Sequence, residues 1–371
     1  MDLLLVDNIG YDVWEVEDIP STAESIVILG KTYKYKDLDE IRDDVQSRLW
    51  CTYRKGFPPL GSVQYTSDKG FGCMMRCGQM LLAEALIQSH IGRDWRWTSD
   101  TKDPTYLQIV NKFEDTKTAV YGIHHIAIMG QESGKKISEW YSPNVIAQVI
   151  RKLVRFDEFS NLHVHVALDH QLALDDIIEV TSPLLIIIPL RLGLTDINPI
   201  YIPELKRCFE IPGSLGIIGG RPNQALYFIG YVGNEALYLD PHTCQRSGSI
   251  NNKESQTEVE MDETFHQKHA GRINFSSMDP SIAVAFLCKT QKEFHDLISN
   301  LEKPKDSTET PLFEIVEERA QPWVSTSMCS RDLEHDLSVI CGDQSQEFEK
   351  LDKETEDGVD DEDDDGFEII D

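Results

Sequence analysis

Cys73 stands at a position where its thiol could act as a nucleophile. It directly follows the turn-forming residues Gly70, Phe71 and Gly72 and opens a pattern of apolar residues with helical spacing. The first turn of a helix presents unpaired N–H groups and a partial positive charge, which favour a thiolate over a thiol. A cysteine placed there can have its pKa lowered to about 3.5–7.5. The sequence therefore predicts a reactive cysteine at residue 73.

Asp240 and His242 could supply a base and the residue that orients it. They lie two residues apart after a strand-like run, so on an extended segment both side chains point to the same side. A carboxylate in that position can hold an imidazole in one tautomer and stabilise its charged form. If this segment packs against the start of the helix, then Cys73, His242 and Asp240 form a nucleophile, a base and an orienting residue.

Each of these signals also has an ordinary structural explanation. A cysteine at a helix start is more often a small packed hydrophobe, and Asp-x-His pairs are common at protein surfaces. The pairs His124–His125 and His163–His165 have no third ligand at a useful spacing, so structural histidines are expected there rather than a metal site. Composition and spacing therefore lead no further than a cysteine hydrolase as one candidate, without a metal or another cofactor.

Helices are expected in the first part of the chain and strands in the second. Apolar spacing predicts a helix over 38–53, with Tyr53 at its end, and another from Cys73 to about Ser89, and the pair Ser142-Pro143 predicts the start of a third. After Pro183 the runs are rich in residues that favour strands, and they predict strands at 184–190, 215–218, 226–232, 236–240 and 283–288. Gly233-Asn234 predicts a hairpin turn between two of these strands, and a helix is expected at 291–301. This order favours an α+β domain over a doubly wound sheet.

The chain is strongly acidic and has the composition of an intracellular protein. Its 371 residues carry a net charge of −29, which disfavours nucleic acid as a partner. Fifteen acidic residues and two lysines lie between Asp343 and Asp371, so a disordered acidic tail is expected over 342–371. No apolar run could span a bilayer, and the N-terminus lacks the positive region of a signal peptide. Eight cysteines in such a chain indicate reduced thiols and a cytoplasmic location.

Eight ordered motifs make the chain resemble the autophagin family, the autophagy-related cysteine proteases. The likeness covers roughly residues 28–300, in the segments 47–55 (SRLWCTYRK), 66–79 (TSDKGFGCMMRCGQ), 138–144 (SEWYSPN), 189–194 (PLRLGL), 216–223 (GIIGGRPN), 227–233 (YFIGYVG), 239–243 (LDPHT) and 278–281 (MDPS). The resemblance implies a papain-like fold. It further implies an N-terminal arm at 1–27, a protease domain at 28–341 and a small inserted auxiliary domain at roughly 95–180.

The resemblance also implies roles for individual residues. Cys73 matches the family's nucleophile, His242 its general base and Asp240 the residue that orients the base. Tyr53 matches the oxyanion-stabilising tyrosine, and Trp140 matches the residue that covers the scissile bond. The loop that must lift to admit substrate matches Gly219, Gly220, Arg221, Pro222 and Asn223.

Three positions within or next to these motifs carry further expectations. Phe71 stands where the family usually has tryptophan, and Leu226 stands where relatives often have histidine. Both changes keep bulk near the site, so we expect them to tune the fit of the substrate. Cys77 lies one helical turn after Cys73 and is either a modulator of oxidation sensitivity or a buried packing residue.

The substrate implied by the resemblance is the ubiquitin-like autophagy modifier, cut after its C-terminal glycine. Both the precursor and the conjugate with phosphatidylethanolamine would be substrates of a monomeric enzyme, which would reach membranes only through that conjugate. Phe367 and Ile370 resemble a short motif that docks on the modifier by adding a strand, and Tyr11 and Trp14 resemble a second one. The alternatives are a protease for another ubiquitin-like protein and a non-catalytic adaptor that binds the modifier.

Overall fold

Strands make up the centre of the molecule. The structure is a computed structural model that describes residues 18–61, 63–177, 179–302 and 310–318. In chain order the strands of these residues are β1 (Ile26–Ile28), β2 (Lys31–Tyr33), β3 (Tyr53–Lys55), β4 (His163–Val166), β5 (Gln171–Ala173), β6 (Leu184–Arg191), β7 (Ser214–Arg221), β8 (Gln224–Val232), β9 (Glu235–Leu239), β10 (Cys244–Arg246), β11 (Gly271–Asn274), β12 (Ser281–Cys288) and β13 (Glu314–Val316).

One mixed sheet contains nine of the strands in the described ranges. Seven of them lie in the order β11-β9-β8-β7-β12-β6-β4, while β1 pairs with β8 and with β2. Most neighbours are antiparallel, and β4 with β6 is parallel. Strand β6 tolerates Pro189 because the missing N–H of this residue would point toward β4. The pairing of β6 with β4 ends at Ile187, so no hydrogen bond of the sheet is lost. Two parallel pairs, β3 with β10 and β5 with β13, lie outside this sheet.

Helices cover the sheet and fill the chain between the strands. In the described ranges they are α1 (Leu38–Gln46), α2 (Cys73–His90), α3 (Pro104–Asn111), α4 (Ile123–Glu132), α5 (Pro143–Leu153), α6 (Ile202–Glu210), α7 (Gln256–Glu263) and α8 (Gln291–Glu302). These elements confirm the predicted α+β class. The predicted starts at Cys73 and Pro143 are also confirmed, and Ser142 caps α5 by accepting a hydrogen bond from the backbone N–H of Val145.

Helix α2 is the central helix of the fold. Every residue from Cys73 to Gln88 is buried, and the helix packs against β7, β8 and α5. A Cβ atom at Gly78 would lie 2.3 Å from the side chain of Ile146, so this glycine allows the close approach of α2 and α5. The helix is therefore surrounded by the core, and its polar side chains, such as Arg76 and Glu84, are buried with hydrogen-bond partners.

The helix predicted over 38–53 is wrong in its second half. Helix α1 ends at Gln46, where Ser47 closes it by donating its hydroxyl to the carbonyl of Asp43 at 2.6 Å. Tyr53 is the first residue of β3, which pairs with β10 from a segment far along the chain. The helical spacing of apolar residues therefore continued past the true end of the helix, because a distant strand takes these residues into an extended conformation.

The predicted hairpin at Gly233-Asn234 is confirmed. Val232 of β8 pairs with Glu235 of β9, and Gly233 has a φ of 54° in the turn. Residues 95–180, predicted as an inserted domain, contain helices α3, α4 and α5 and strands β4 and β5, and β4 belongs to the main sheet. The bounds of the arm, the inserted domain and the tail remain predictions.

The two predicted docking motifs lie outside the described residues. Phe367 and Ile370 belong to the predicted tail, and Tyr11 and Trp14 to the predicted arm. Among the helices that the structure describes, none has both the length and the apolar composition needed to cross a bilayer.

Candidate active site

Cys73 is the first residue of α2, as the sequence predicts, and its side chain is covered. Only 2% of the residue is exposed. The preceding Gly72 offers no side chain to cap the helix, so the unpaired N–H groups of the first turn remain close to the sulfur. The indole Nε1–H of Trp140 donates to Cys73 Sγ at 3.2 Å, and the backbone N–H of Ala225 donates to the same sulfur.

Asp240 and His242 form the predicted pair immediately after β9. The imidazole Nδ1 lies 2.5 Å from Asp240 Oδ1, which also accepts the backbone N–H of His242 at 2.9 Å. Two hydrogen bonds, one from the segment before β3 and one from the first residue of β3, hold the loop that contains Asp240 and His242. Trp50 donates its indole N–H to the carbonyl of Asp240 at 2.7 Å, and Tyr53 donates its backbone N–H to the carbonyl of Pro241 at 2.9 Å.

The thiol and the imidazole change each other's pKa in opposite directions. Burial alone would raise the pKa of Cys73, but the neighbouring His242 and the donors from Ala225 and Trp140 lower it below the usual thiol value. Burial alone would also lower the pKa of His242, but Asp240 and Cys73 raise it to about 9. The arrangement therefore favours a thiolate beside an imidazolium, an activated nucleophile with its acid in place.

The thiol and the imidazole lie close enough to interact, but their contact falls short of a well-aligned hydrogen bond. Within the described residues, Nε2 of His242 is buried and has no partner at good hydrogen-bond geometry. Asp240 holds the opposite side of the ring, and its own pKa is lowered, since the bond to His242 outweighs the effect of burial. Catalytic hydrogen bonds are often long or misaligned before substrate binds, so this geometry suits a site without substrate.

Tyr53 lies beside both members of this pair. Its ring meets that of His242 edge-on, with centroids 5.4 Å apart and planes at 87°. Burial, followed by the charge of Cys73 and a hydrogen bond with it, raises the pKa of Tyr53 well above its usual value. The hydroxyl therefore stays protonated and is available as a hydrogen-bond donor close to the sulfur.

Trp140 covers the sulfur while facing solvent. The residue is 43% exposed, although its Nε1–H points at Cys73 Sγ. It belongs to the segment between α4 and α5 and is followed by the capping Ser142. An aromatic side chain that is both half in water and in contact with the thiol is suited to act as a movable cover.

The predicted loop at 219–223 is a tight hairpin rather than an open loop. Gly219, Gly220 and Arg221 complete β7, and Pro222 and Asn223 form the two-residue turn before β8, with Asn223 at a φ of 65°. The carbonyl of Gly220 accepts the N–H of Asp279 at 2.8 Å. Gly220 pairs with Ala225, whose N–H reaches Cys73, so the base of the hairpin lies directly on the thiol.

The remaining predicted positions are buried near the site. Phe71 is 8% exposed and its ring lies 5.8 Å from that of Tyr65. Leu226 belongs to the hydrophobic core, so any influence on substrate passes through β8. Cys77 is fully buried, and burial together with the charges of Cys73 and Asp240 raises its pKa well above normal. Its thiol is therefore a weak nucleophile, and its role in oxidation remains a hypothesis.

The structure brings together the predicted residues that it describes and adds three contacts. The triad candidates, Tyr53, Trp140 and the hairpin all surround one sulfur. Sequence reasoning missed Trp50, the N–H of Ala225 and the buried Asp68, which lies in the segment between β3 and α2. Only Asp68 had a sequence signal, because it precedes the turn Gly70–Gly72. No group of three His, Cys, Asp or Glu side chains among the described residues could hold a metal ion.

Comparisons of the sequence with known proteins identify similar cysteine proteases. Residues 38–300 match the Peptidase C54 catalytic domain. The chain is 43% identical over 335 residues to cysteine protease ATG4B of Xenopus laevis, covering 82% of this chain and 86% of the relative. It is 42% identical over 353 residues to ATG4B of Gallus gallus, covering 84% and 89%. It is 39% identical over 351 residues to ATG4A of Homo sapiens, covering 83% and 86%.

These matches cover most of the chain and include every described residue around Cys73. The α+β architecture, with a central helix that begins at a cysteine and a histidine in the turn that follows a strand of the sheet, is the papain-like arrangement. The resemblance inferred from the eight sequence motifs is thereby confirmed. The chain belongs to the Peptidase C54 family, the autophagy-related cysteine proteases, and is a papain-like cysteine peptidase.

Proposed function

We propose that this enzyme cleaves the ubiquitin-like autophagy modifier after its C-terminal glycine. The cleavage would both mature the precursor and release the modifier from phosphatidylethanolamine. The observation that carries the proposal is a thiol with a lowered pKa, covered by the Trp140 indole and the base of the 219–223 hairpin, beside an imidazole with a raised pKa. The relatives, named cysteine protease ATG4B and ATG4A, support the family resemblance that implies this substrate class.

Cys73 is the proposed nucleophile and His242 the proposed acid and base. The thiolate attacks the carbonyl carbon of the terminal glycine, and the carbonyl electrons move to oxygen. As the intermediate collapses, the C–N bond breaks and the leaving amine takes the proton of the imidazolium. A thioester remains on Cys73, and neutral His242 then removes a proton from the attacking water. Breaking the C–S bond restores the thiolate and the imidazolium and frees the glycine carboxylic acid, which loses its proton to solvent and becomes a carboxylate.

Tyr53 and Asp240 support these steps in the proposal. The hydroxyl of Tyr53 and the backbone N–H of Cys73 donate to the oxyanion, and losing one such donor typically costs about 10²–10³ in rate. Asp240 keeps the proton of His242 on Nδ1 and turns Nε2 toward the sulfur. Both roles match the contacts of the two residues with the Cys73–His242 pair.

Glycine selectivity follows from the proposed entry route. Because Cys73 is 2% exposed, Trp140 or the hairpin of Gly219, Gly220, Arg221, Pro222 and Asn223 must move before a substrate can reach the sulfur. A narrow passage between an indole and a strand turn admits an extended chain ending in glycine and excludes larger side chains. An amide to a peptide and an amide to a lipid amine present the same carbonyl there.

The proposed setting of the enzyme follows the same logic. It would act as a monomer in the cytoplasm and meet membranes only through the lipid-linked modifier. Phe367 and Ile370 would dock on the modifier and increase its effective concentration near Cys73. No step of the proposed mechanism uses a cofactor.

The test compares two ubiquitin-like substrates, each extended past its terminal glycine. Purified protein should cleave the autophagy modifier and leave extended ubiquitin intact, as judged by intact-protein mass spectrometry. Cys73→Ser should abolish cleavage yet keep modifier binding, whereas Cys77→Ala, one helical turn further along, should remain active. Cleavage of ubiquitin alone would indicate a protease for another modifier. Binding without any cleavage by the natural sequence would indicate an adaptor.

A further inference from the structure

Asp68 is a fully buried carboxylate at the junction of two segments that reach the active site. Its Oδ1 accepts the backbone N–H of Arg54 at 2.7 Å, and its Oδ2 accepts Nε–H of Arg76 at 2.8 Å. Its main-chain carbonyl accepts the N–H groups of Phe71 and Gly72 at 3.2 and 2.9 Å. One residue therefore ties strand β3, the turn before α2 and the first turns of α2 together.

These contacts lie next to both groups that would stabilise an oxyanion. Arg54 directly follows Tyr53 in β3, and Gly72 directly precedes Cys73. The packing is tight, since a Cβ atom at Gly72 would lie 2.2 Å from Oδ2 of Asp68. The distance between the Tyr53 hydroxyl and the Cys73 backbone N–H therefore depends on where this carboxylate is held.

Arg76 holds that carboxylate from the first turns of α2. The guanidinium is 1% exposed and also donates to Asp115 at 2.8 Å and to Gln79 Oε1 at 3.0 Å. A buried charge that loses its partner is costly, so the Asp68–Arg76 pair is held in one geometry. Asp115 shares the same guanidinium, from which it accepts a hydrogen bond.

We propose that Asp68 is a positioning residue that sets the spacing between the two oxyanion donors, Tyr53 and the N–H of Cys73. The inference rests on the proposed function, because it assigns these donors to the transition state. Asp68 acts through Arg54 and Gly72, whereas the thiolate is stabilised by His242, Ala225 and Trp140. Removing Asp68 should thus slow catalysis while leaving the reactive thiolate in place.

The test separates thiolate reactivity from oxyanion stabilisation. Asp68→Asn should lower kcat for the extended modifier by on the order of 10–10²-fold, because small displacements of catalytic groups carry costs of this size. KM and the rate of Cys73 alkylation by iodoacetamide should change by no more than about twofold, since alkylation forms no oxyanion. Asp115→Asn is the matched control, because it removes the other carboxylate of Arg76 and should lower the melting temperature without changing kcat.

A second variant and a second probe cover the remaining outcomes. Asp68→Glu keeps a carboxylate that can pair with Arg76 but moves it by the length of one methylene. This variant should therefore fold and still show the loss of kcat. A short peptide ending in glycinal adds the Cys73 sulfur to its aldehyde carbon and places the resulting oxygen between the two donors. Its Kd should rise by about tenfold in both Asp68 variants, as expected for a transition-state mimic.

The outcomes distinguish this proposal from the proposed function. The aldehyde measurement does not need the modifier to be a substrate, so it tests Asp68 even if the natural sequence fails to cleave the modifier. Equal losses of kcat in Asp68→Asn and Asp115→Asn would overturn the positioning role. Parallel losses of alkylation and kcat, or an unchanged glycinal Kd, would also overturn it.

Discussion

The charge state of one sulfur depends on a few residues that come from different parts of the chain. Trp140 and Ala225 donate to Cys73, while Asp240 raises the pKa of His242 from the opposite side of its ring. Two groups that interact this strongly lose their protons as a pair. The active form, thiolate with imidazolium, therefore exists between the lowered pKa of the thiol and the raised pKa of the imidazole.

The first prediction concerns the pH dependence of hydrolysis. With the pKa of His242 at about 9, kcat/KM should rise as the pH passes the thiol pKa, stay level, and fall above pH 9 as the imidazolium proton is lost. Alkylation of Cys73 needs only the thiolate and should not fall above pH 9. Hydrolysis and alkylation should be measured over the same pH series.

Asp240→Asn is the control for that profile. Without the carboxylate, the pKa of His242 should move down toward its usual value, so the alkaline fall should begin at lower pH and kcat should drop by about 10²–10⁴-fold. An alkaline limb that stays near pH 9 in this variant would show that another group holds the imidazole.

The second prediction concerns the indole N–H of Trp140. Trp140→Phe keeps an aromatic cover but removes the donor that helps to lower the pKa of Cys73. Hydrogen bonds to charged groups are worth about 1.5–3 kcal/mol, so the acidic limb of the alkylation profile should move up by about one to two pH units. The alkaline limb of hydrolysis should not move. An unchanged acidic limb would mean that the indole only covers the sulfur.

At the scale of elements, the features that were predicted correctly are those that depend on residues close together in the sequence. The start of α2 at Cys73 follows from the glycine turn, and the start of α5 follows from Ser142 and Pro143. The strands after Pro183 were found because their apolar β-branched runs need no partner to be recognised. The meeting of Asp240 and His242 was predicted correctly but for another reason than the period of an extended segment, because Pro241 and His242 form a turn in which Asp240 Oδ1 accepts both the backbone N–H and the ring of His242.

Other features depend on segments that are distant in sequence. The helix predicted over 38–53 failed because the backbone of Tyr53 pairs with a strand that begins at Cys244. Trp50 donates a hydrogen bond to the carbonyl of Asp240, which lies 190 residues later in the sequence, and no local pattern predicts that contact. The segment 219–223 was expected to be a loop because the resemblance implies one there, whereas pairing with β8 makes three of its residues part of a strand.

The third prediction tests the hairpin as a cover. A Cβ atom at Gly220 would lie 1.9 Å from the carbonyl oxygen of Gln224, so Gly220→Ala must push β7 and β8 apart at the turn. The N–H of Ala225 should then move off Cys73, and a bulky maleimide should label the thiol faster than in the natural sequence. Labelling is followed by mass spectrometry at one fixed pH.

Gly92→Ala is the matched control for the hairpin. Gly92 has a φ of 118° and open space around its Cα, so alanine strains the backbone there without a clash and beyond the far end of α2. It should lower the melting temperature but leave the labelling rate unchanged. Equal labelling in Gly220→Ala and the natural sequence would show that Trp140 alone restricts access.

At the scale of the whole molecule, the negative charge is concentrated near the end of the sequence. The net charge is −29, and the last 29 residues, from Asp343 to Asp371, contribute fifteen acidic residues against two lysines. The match to the Peptidase C54 catalytic domain ends at residue 300. The acidic segment therefore lies beyond the catalytic domain, where the sequence predicts a tail that carries a docking motif rather than part of the core.

The fourth prediction is that this tail affects substrate capture and not folding. Truncation after Gly342 should change the melting temperature by less than about 2 °C, since a segment without a core contributes little to cooperative unfolding. KM for the extended modifier should rise by about tenfold with kcat unchanged, because tethered docking increases effective concentration without new contacts at Cys73.

In the full chain, Phe367→Ala with Ile370→Ala should reproduce the rise in KM while keeping every acidic residue. If truncation raised KM and the double substitution did not, the charge rather than the motif would capture the modifier. A large fall in melting temperature would instead mean that the tail packs on the catalytic domain.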